Sequence, residues 1–529
     1  MNFWLRIAAP TLRRPVEHWA FVVLALALLG GCASLPPQTP RDPVYAIEQP
    51  ESTKLGMAFA ALSQAHDGHS GFKVLLSGRE AFIARAASAR AAERTIDLQY
   101  FSAGEGTSTD ALLSVLADAA GRGVRVRVLL DDIEPQTRRF ALRVQALGGD
   151  VQVRLFNPFW RSGDSMAARI VEFSAAPARL NRRMHNKLWL ADNAVAVFGS
   201  RNLGDAYFDL DGEANFSDID LLVVGPVVAD LSASFDAYWN STAAVPLRDV
   251  DSRAGRAMAA AIRADLADRW HACNELPPCT WLHAPELPNA LRDATLALHW
   301  APARFFDDPP VGGKSSWAAW FEHGGLDDSL VRDELLLVAP YFIPSAEGLE
   351  HLRRLANAGV RVALLTNSLA STDSPAAHAG YVAYRKDLLE FGIEVYELRT
   401  LPGQRHGAVH RWGQPSPASL HAKFVVQDRR RVMLGSKNQD PRSRLHNTES
   451  WLVIDSEALA RELTELFDEA TALHHVYRVD LDAAAAHSHL RWTTEQDGKL
   501  LTFDVEPETD LGLRLWRSLL GALIPEHLL

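Results

Sequence analysis

Short apolar segments alternate with amphipathic ones along most of the chain. Residues 95–101, TIDLQYF, form a brief and mainly apolar run, which predicts a buried strand. The segment TDALLSVLADAAGRG at 109–123 has apolar residues at helical spacing and ends on glycine, which predicts a helix. VRVRVLL at 124–130 then alternates apolar and basic positions, as a strand does. Strands that alternate with helices predict an α/β fold, with helices packed on the faces of a sheet.

This pattern occurs twice. AAGRGVRVRVLLDD at 119–132 resembles ANAGVRVALLTNS at 356–368, and TIDLQYF resembles LLLVAPYF at 335–342. The glycines at 123 and 359 set the offset between the copies, and 359 − 123 is 236 residues. Because a chain of 529 residues is too long for one compact core, the repeat predicts two large halves of similar fold.

The same offset separates two copies of one polar motif. MHNKLWLADNAVAVFGSRN at 184–202 and LHAKFVVQDRRRVMLGSKN at 420–438 share His-x-Lys, then Asp five residues after the Lys, then Gly-Ser-x-Asn seven residues after that Asp. Each copy is typical of a hairpin with the Asp in its turn. Side chains alternate faces along a strand, so we expect His185 and Lys187 on one face and the leucines that follow on the other.

A histidine beside a fixed ammonium is a poor core residue but suits a phosphate site, because Lys supplies charge and His supplies a nucleophile or a proton near neutral pH. The candidate catalytic residues are His185, Lys187, Asp192, His421, Lys423 and Asp428, and the candidate phosphate-binding residues are Ser200, Asn202, Ser436 and Asn438. Asp192 and Asp428 have an alternative interpretation, as turn residues that bond nearby backbone.

A two-fold arrangement of the copies would bring both histidines to one site. One histidine would attack phosphorus while the other protonates the leaving oxygen and then activates the acceptor. The lysines and asparagines would stabilise the charge of the transition state. This chemistry requires no metal.

The duplicated motifs resemble the paired His-Lys-Asp motifs of the phospholipase D superfamily, over residues 54–475. The resemblance implies two pseudo-symmetric α/β/α sandwich halves that share one active site, and a phosphohistidine intermediate without a cofactor. It also implies that His185 is the nucleophile and that His421 is the general acid/base.

The resemblance further implies a carboxylate behind each histidine that orients its ring. Glu449 lies 28 residues after His421 and fits this role in the second half. In the first half, matching FSDIDLLVV to NTESWLVI favours Asp218, with Glu213 as the alternative.

More narrowly, GSKNQDPRSRLHNTE at 435–449 and RMHNKLWLADNAVAVFGSRNLGDAYF at 183–208 resemble bacterial cardiolipin synthases, most of all the C type. This implies transfer of a phosphatidyl group onto phosphatidylglycerol, from phosphatidylglycerol or phosphatidylethanolamine. The alternative is a hydrolytic phospholipase D that releases phosphatidic acid. The net charge of −11 disfavours nucleic acid as the partner, and the retention of every polar position in both copies disfavours a non-catalytic scaffold.

The N-terminus resembles a lipoprotein signal peptide. Arginines precede the apolar run AFVVLALALLGG at 20–31, which is too short for a comfortable membrane span, and LLGGCAS resembles a bacterial lipobox that leaves Cys32 lipidated. An uncleaved helical anchor is the alternative. Either would place the protein in the bacterial cell envelope, on the periplasmic side of the inner or the outer membrane. The predicted divisions are a signal peptide at 1–31, a tether at 32–53, the first half at 54–245, a connector at 246–287, the second half at 288–475 and a C-terminal tail at 476–529.

Two further features have alternative interpretations. Cys273 and Cys279, in CNELPPC, predict either a small disulfide loop or two free thiols. Residues 511–529, LGLRLWRSLLGALIPEHLL, predict an amphipathic helix that either lies among lipid headgroups or docks on the body. Its predicted apolar face contains Leu513, Trp516, Leu520, Leu523 and Ile524. The sequence leaves the oligomeric state open.

Overall fold

The structure is a computed structural model that describes residues 40–160, 162–211, 215–273, 275–311, 331–400, 419–482 and 489–528. The predicted signal peptide, Cys32 and Glu213 lie outside the described residues. No helix within the described ranges is long and apolar enough to cross a membrane.

The first half of the chain forms one mixed sheet with helices on its faces. Its strands are β1 Ser70–Leu75, β2 Thr95–Tyr100, β3 Arg125–Asp131, β4 Val151–Phe156, β5 Arg183–Met184, β6 Leu188–Ala191, β7 Val195–Gly199, β8 Phe216–Ser217, β9 Asp220–Val224, β10 Ala244–Pro246 and β11 His299–Ala301. Its helices are α1 Lys54–Ala65, α2 Gly78–Ala91, α3 Thr107–Gly121, α4 Pro135–Ala146, α5 Met166–Ala175, α6 Pro177–Leu180, α7 Val227–Trp239, α8 Leu247–Val250, α9 Arg256–Cys273 and α10 Glu286–Arg292. The sheet order is β10-β4-β3-β2-β6-β7-β9-β1-β11.

The second half forms a corresponding sheet. Its strands are β12 Ala303–Asp307, β13 Glu334–Val338, β14 Arg361–Asn367, β15 Glu394–Leu398, β16 Ser419–Leu420, β17 Phe424–Gln427, β18 Arg431–Gly435, β19 Asn447–Thr448, β20 Ser450–Asp455, β21 Val476–Asp482, β22 His489–Gln496 and β23 Lys499–Phe503. Its helices are α11 Ser345–Asn357, α12 Pro375–Glu390, α13 Pro441–Leu445, α14 Glu457–Ala470 and α15 Leu511–Leu523. The sheet order is β12-β20-β18-β17-β13-β14-β15-β21-β22-β23.

The two sheets share one internal plan. The run β4-β3-β2-β6-β7-β9 corresponds strand by strand to β15-β14-β13-β17-β18-β20. In each run the first three strands are parallel and the first strand of the hairpin that follows is antiparallel to them. The predicted α/β fold of two pseudo-symmetric halves is confirmed.

The halves also share a buried core. One continuous apolar cluster contains Leu190 and Leu221 of the first sheet, Leu336 and Leu452 of the second, and residues of α7 and α14. Burial of such side chains contributes about 1.5–3 kcal/mol each, so separating the halves would be costly.

Each predicted hairpin forms, with its first strand shorter than expected. The strands begin at Leu188 and Phe424, one residue after the lysine of each motif, so each His-x-Lys lies just before its strand rather than within it. The turns hold Asp192 and Asp428 in the left-handed region, with φ of 53° and 50°. Two-residue hairpin turns require this conformation, which Asp tolerates better than most residues.

Residues 246–301 belong to the first half rather than to a separate connector. α9 packs against α3 and α4, α10 packs against α2, and β11 pairs with the edge strand β1. The chain therefore changes sheets at Pro302, between β11 and β12, and not at the predicted residue 288. A disulfide joins Cys273 to Cys279, which resolves the alternatives left by the sequence.

The C-terminal segment is partly integrated into the second half. β21, β22 and β23 extend its sheet, and α15 packs across α12. Leu513, Leu520 and Ile524 face inward, as predicted for a docked helix, whereas Trp516 and Leu523 are exposed together with Leu515 and Leu519. The docked interpretation therefore holds for one face of α15, and a second face remains apolar and exposed.

Candidate active site

The first histidine is held by a carboxylate from the other half. His185 Nδ1 lies 2.9 Å from Oε2 of Glu449, and both side chains are buried. Glu449 is held in turn by the hydroxyls of Ser436, at 2.5 Å, and Ser443, at 2.8 Å. A carboxylate at Nδ1 fixes the ring and leaves Nε2 as the free nitrogen.

The second histidine is held in the same way, by a carboxylate of the first half. His421 Nδ1 lies 2.6 Å from Oδ2 of Asp218. The hydroxyl of Ser200 donates to the other oxygen of Asp218. The structure thus places both predicted orienting carboxylates at histidines, but each serves the histidine of the other half. Glu449 contacts His185, not the His421 from which its spacing was counted.

Two short parallel sheets explain this exchange. β5, which leads into His185, pairs with β19, which leads into Glu449. β16, which leads into His421, pairs with β8, just before Asp218. Backbone bonds extend the pairing, because His185 N donates to Thr448 O at 2.9 Å and His421 N donates to Ser217 O at 2.8 Å. The position of the carboxylates therefore follows from how the halves join, which spacing within one half does not encode.

Both lysines are buried beside their histidines. Lys187 Nζ donates to the carbonyl of His185 at 2.5 Å, and Lys423 Nζ donates to that of His421 at 2.6 Å. Burial lowers the pKa of Lys423 to about 8, although the carboxylates of Asp218 and Glu449 oppose it. Burial likewise lowers the pKa of Lys187 well below its ordinary value. Cations held in so little water would interact strongly with a phosphate.

Burial lowers the pKa of both histidines. Burial lowers the pKa of His185 to about 4; Glu449 raises it and Lys187 lowers it further. Burial and the charge of Lys423 also lower the pKa of His421, against the carboxylate of Asp218. Each histidine's pKa is lowered as well by the lysine of the opposite half, so the two His-Lys pairs lie within electrostatic reach of each other.

The carboxylates remain ionised. Burial alone would raise the pKa of Glu449, but His185, Lys187 and the hydroxyl of Ser436 lower it below its ordinary value. For Asp218 burial is likewise outweighed by His421, Arg201 and Lys423, and the net pKa is lowered. Two negative charges therefore stand behind the two imidazole rings.

The Gly-Ser-x-Asn residues do not all occupy the predicted role. The hydroxyls of Ser200 and Ser436 donate to the orienting carboxylates instead of pointing to a phosphate position. Asn202 Nδ2 donates to the hydroxyl of Tyr207 at 3.0 Å. The side-chain oxygen of Asn438 is buried without a hydrogen-bond partner among the described residues. That oxygen accepts hydrogen bonds and cannot donate one to a phosphate oxygen, so it does not indicate a phosphate contact. The two serines support the histidines indirectly.

Asp192 and Asp428 lie at the far end of the hairpins from the histidines. Asp192 accepts from the backbone N–H groups of Glu93, Arg94 and Thr95 at 2.8–2.9 Å. Asp428 accepts from the corresponding N–H groups of residues 332–334. The prediction that they are catalytic is corrected, because a strand separates each from its histidine and their bonds tie the turn to the start of β2 or β13.

Aromatic rings line the histidines, and the sequence analysis did not single them out. Phe101 meets the ring of His185 edge-on at 4.9 Å and lies 5.3 Å from Lys187 Nζ. Tyr207 and Phe216 meet the ring of His421 at 5.4 and 5.3 Å. The position of Phe101 directly after a predicted buried strand, in both copies of the repeat, was the available signal. The sequence analysis also did not single out Ser443, whose hydroxyl donates to Glu449. Its place in the Asp-Pro-Arg-Ser segment was the available signal.

Two buried histidines, each held by a carboxylate at Nδ1 and flanked by a lysine, define a phosphoryl-transfer enzyme of the two-histidine class. Within the described ranges, no group of three or more His, Cys, Asp or Glu side chains is arranged to hold a metal.

Comparison with known proteins agrees with this class. A family model described as "Cardiolipin synthase, PLD-like domain" matches residues 86–239 and 330–471. Cardiolipin synthase C of Escherichia coli (strain K12) is 36% identical over 488 residues, covering 90% of this chain and 100% of that protein. Cardiolipin synthase A of Pseudomonas syringae pv. syringae is 25% identical over 388 residues, covering 73% of this chain and 65% of that protein. The chain belongs to the phospholipase D-like family of enzymes.

A solved structure shows the same fold. Phosphatidylserine synthase from Haemophilus influenzae Rd KW20 superposes with a TM-score of 0.51 at 15% identity, covering 80% of this chain and 92% of that one. At that identity the likeness supports the architecture of two joined halves and nothing finer.

Proposed function

We propose that this protein transfers a phosphatidyl group from one phospholipid to another and acts as a cardiolipin synthase. The observation that carries the proposal is the pair of histidines, each with a carboxylate at Nδ1, within electrostatic reach of two lysines. The E. coli relative named cardiolipin synthase C supports cardiolipin as the product. The acceptor in this proposal is phosphatidylglycerol. The donor is phosphatidylglycerol or phosphatidylethanolamine.

The reaction proceeds in two displacements. His421 enters the first step as imidazolium, with one proton held at Nδ1 by Asp218 and one on Nε2. Nε2 of His185 attacks the donor phosphorus, and the bond from phosphorus to the headgroup oxygen breaks as that oxygen takes the Nε2 proton of His421. The acceptor hydroxyl then gives its proton back to Nε2 of His421 and attacks phosphorus, which breaks the P–N bond and frees His185. Lys187 and Lys423 stabilise the five-coordinate phosphorus.

The protein is further proposed to be a lipoprotein anchored through Cys32 and facing the periplasm. The disulfide between Cys273 and Cys279 supports an oxidising compartment. Globomycin treatment of expressing cells, followed by mass measurement of the N-terminus, tests this: an unprocessed precursor that accumulates supports it, and an unchanged chain contradicts it.

Lipid mass spectrometry tests the activity. The purified full-length protein is incubated with phosphatidylglycerol vesicles, with and without phosphatidylethanolamine, beside His185→Ala. Cardiolipin from the unsubstituted protein alone supports the proposal, and its dependence on phosphatidylethanolamine identifies the donor. Phosphatidic acid without cardiolipin would overturn it in favour of hydrolysis.

A further inference from the structure

One helix exposes an apolar face and buries a charged one. α5 buries Arg169, whose guanidinium donates to the backbone carbonyl and to the carboxylate of Asp132. Its exposed residues are Met166, Ala167, Ile170, Val171, Ser174 and Ala175, at spacings of three and four, and none is charged. Ile170 and Val171 are each 61% exposed and Met166 is 56% exposed. This reverses the usual polarity of a surface helix.

The exposed face of α5 lies at the same end of the fold as the histidines. Asp132, which holds Arg169, directly follows β3, and Asp131 at the end of β3 accepts from the backbone N–H of Met184 at 2.8 Å. Met184 precedes His185 in the chain. The apolar surface continues past α5, because Pro177 and Ala178 are also exposed. We call this end of the sheet, where β2, β3 and β4 finish, the active-site end.

The N-terminal segment enters the fold at this end. Arg41 donates to the carbonyl of Ala244 at 3.3 Å, and Ala244 pairs with Phe156, the last residue of β4. By residue 47 the chain has reached the opposite end, where Asn193 of the hairpin turn donates to the carbonyl of Ile47 at 3.0 Å.

This path sets the reach of an N-terminal anchor. Cys32 lies nine residues before Arg41 in the sequence, which corresponds to at most about 30 Å of extended chain. An anchor at Cys32 would therefore hold the active-site end, and not the opposite end, against a membrane.

Charge around the face fits a phospholipid surface. The chain as a whole carries −11, yet the charged side chain exposed just beyond the apolar face is Arg182. Arg179 is turned inward, where it pairs with Glu172 at 3.4 Å. An apolar face bordered by an exposed arginine is typical of interfacial helices on membranes that contain anionic lipids.

We propose that the exposed face of α5 inserts into the interfacial layer of a phospholipid bilayer and holds the mouth of the active site against it. The proposal rests on the proposed function for the identity of the lipid that is consumed there and for the anchor at Cys32. α5 is thus a membrane-docking surface that positions the site over its substrate.

A fluorescent label tests insertion without any turnover. Ile170→Cys is labelled with an environment-sensitive fluorophore in the full-length protein on vesicles of phosphatidylglycerol and phosphatidylethanolamine, some carrying nitroxide-labelled acyl chains. The matched control is Met258→Cys, on α9 of the same half and 45% exposed. The unsubstituted protein, with Cys32 and the Cys273–Cys279 disulfide, measures background labelling.

The expected result is a blue shift and acyl-chain quenching for the label at 170, with neither at 258. A label at 170 that stays in water while the protein is vesicle-bound overturns the proposal. So does a blue shift at 170 without lipid that grows with protein concentration, because a second copy would then cover the face.

Kinetics distinguish docking from chemistry. The double variant Ile170→Glu/Val171→Glu should lose about tenfold or more in kcat/KM on vesicles, since two apolar side chains no longer insert. It should keep its activity on a water-soluble short-chain phosphatidyl substrate. Met258→Glu should match the unsubstituted protein on both. Equal loss on both substrates would overturn the proposal, whereas absence of turnover in every protein would count against the proposed function and leave the label result standing.

Discussion

The two histidines occur in the same motif but have different surroundings. Glu449, behind His185, accepts from two serine hydroxyls, and one aromatic ring meets the imidazole. Asp218, behind His421, accepts from one serine hydroxyl, and two aromatic rings meet the imidazole. Both histidines share the hydrogen-bonded series of His, carboxylate and Ser. They differ in the number of serine hydroxyls at the carboxylate and of aromatic rings at the imidazole.

The variable residue of Gly-Ser-x-Asn shows the same contrast. In the first half it is Arg201, which pairs with Asp220 and donates to the carbonyl of Asp218 at 2.9 Å. In the second half it is Lys437, which lies over the ring of Trp451 at 4.6 Å. The two sites are therefore duplicates at the reacting atoms and unequal around them, which is what different roles for two identical side chains require.

The largest effects should come from the histidines. His185→Ala and His421→Ala should each reduce turnover by about a thousandfold or more, because nucleophile and acid act as one unit. Trapping with radiolabelled phospholipid separates the roles: His421→Ala should still form some covalent intermediate and His185→Ala none. The opposite pattern would reverse the assignment, and substantial turnover in either variant would refute the two-histidine mechanism.

Substitution of the two orienting carboxylates should cause the next largest loss of activity. Glu449→Gln and Asp218→Asn should each lower kcat by about a hundredfold or more with a smaller change in KM, since each removes the group that fixes a ring. Ser443→Ala is the matched control; it leaves Glu449 with Ser436 and His185, so we expect only a few-fold loss. Equal losses for Glu449→Gln and Ser443→Ala would show that ring orientation does not limit the reaction.

The pH profile should shift in a defined direction. His185 must be neutral to attack, and its pKa lies at about 4, so activity should fall as the pH approaches that value from above. His421 must carry a proton to act as the acid, so loss of that proton sets the fall at higher pH. Because Glu449 raises the pKa of His185, residual activity of Glu449→Gln should fall at a lower pH. Profiles of kcat/KM from about pH 3 to about pH 9 measure both limbs, with circular dichroism at each pH as the control for folding. If the activity of Glu449→Gln falls at a higher pH than that of the unsubstituted protein, Glu449 does not raise the pKa of His185.

The smallest effects on activity should come from the turn aspartates. Asp192→Asn should reduce the free energy of unfolding by about 1–3 kcal/mol, because a buried acceptor of three N–H groups loses its charge. Asp428→Asn should reduce the free energy of unfolding by a smaller amount, since Asp428 is more exposed than Asp192. Thermal denaturation and kcat are measured together. A large loss of kcat with unchanged stability would restore a chemical role for either aspartate.

The sequence predicted what depends on local spacing and missed what depends on assembly. The matched spacing of His185 and His421 to their downstream glycines was enough to predict both hairpins and both His-Lys pairs. The exchange of Glu449 and Asp218 was not predictable from either half alone, because β5–β19 and β8–β16 form only when the halves meet. The same holds for Ser200 and Ser436. Their spacing predicted a phosphate contact, but their hydroxyls bond the carboxylates of Asp218 and Glu449.

Longer-range packing explains the remaining differences. Residues 246–287 resembled a connector, yet α9 in this segment packs against α3 and α4 of the first half. Beyond it, β11 completes an edge of the first sheet. The periodicity of α15 predicted an apolar face but not that two of its sides are apolar. One side is used against α12 and the other is left exposed.

The crossed pairing of the short strands carries an evolutionary consequence. Since each carboxylate orients the histidine of the other half, an ancestral half-length chain would have built a complete site only as a symmetric dimer. Fusion of two gene copies would have kept that geometry within one polypeptide and freed each copy to mutate alone. Arg201 and Lys437, at one position of the shared motif, are a trace of that freedom.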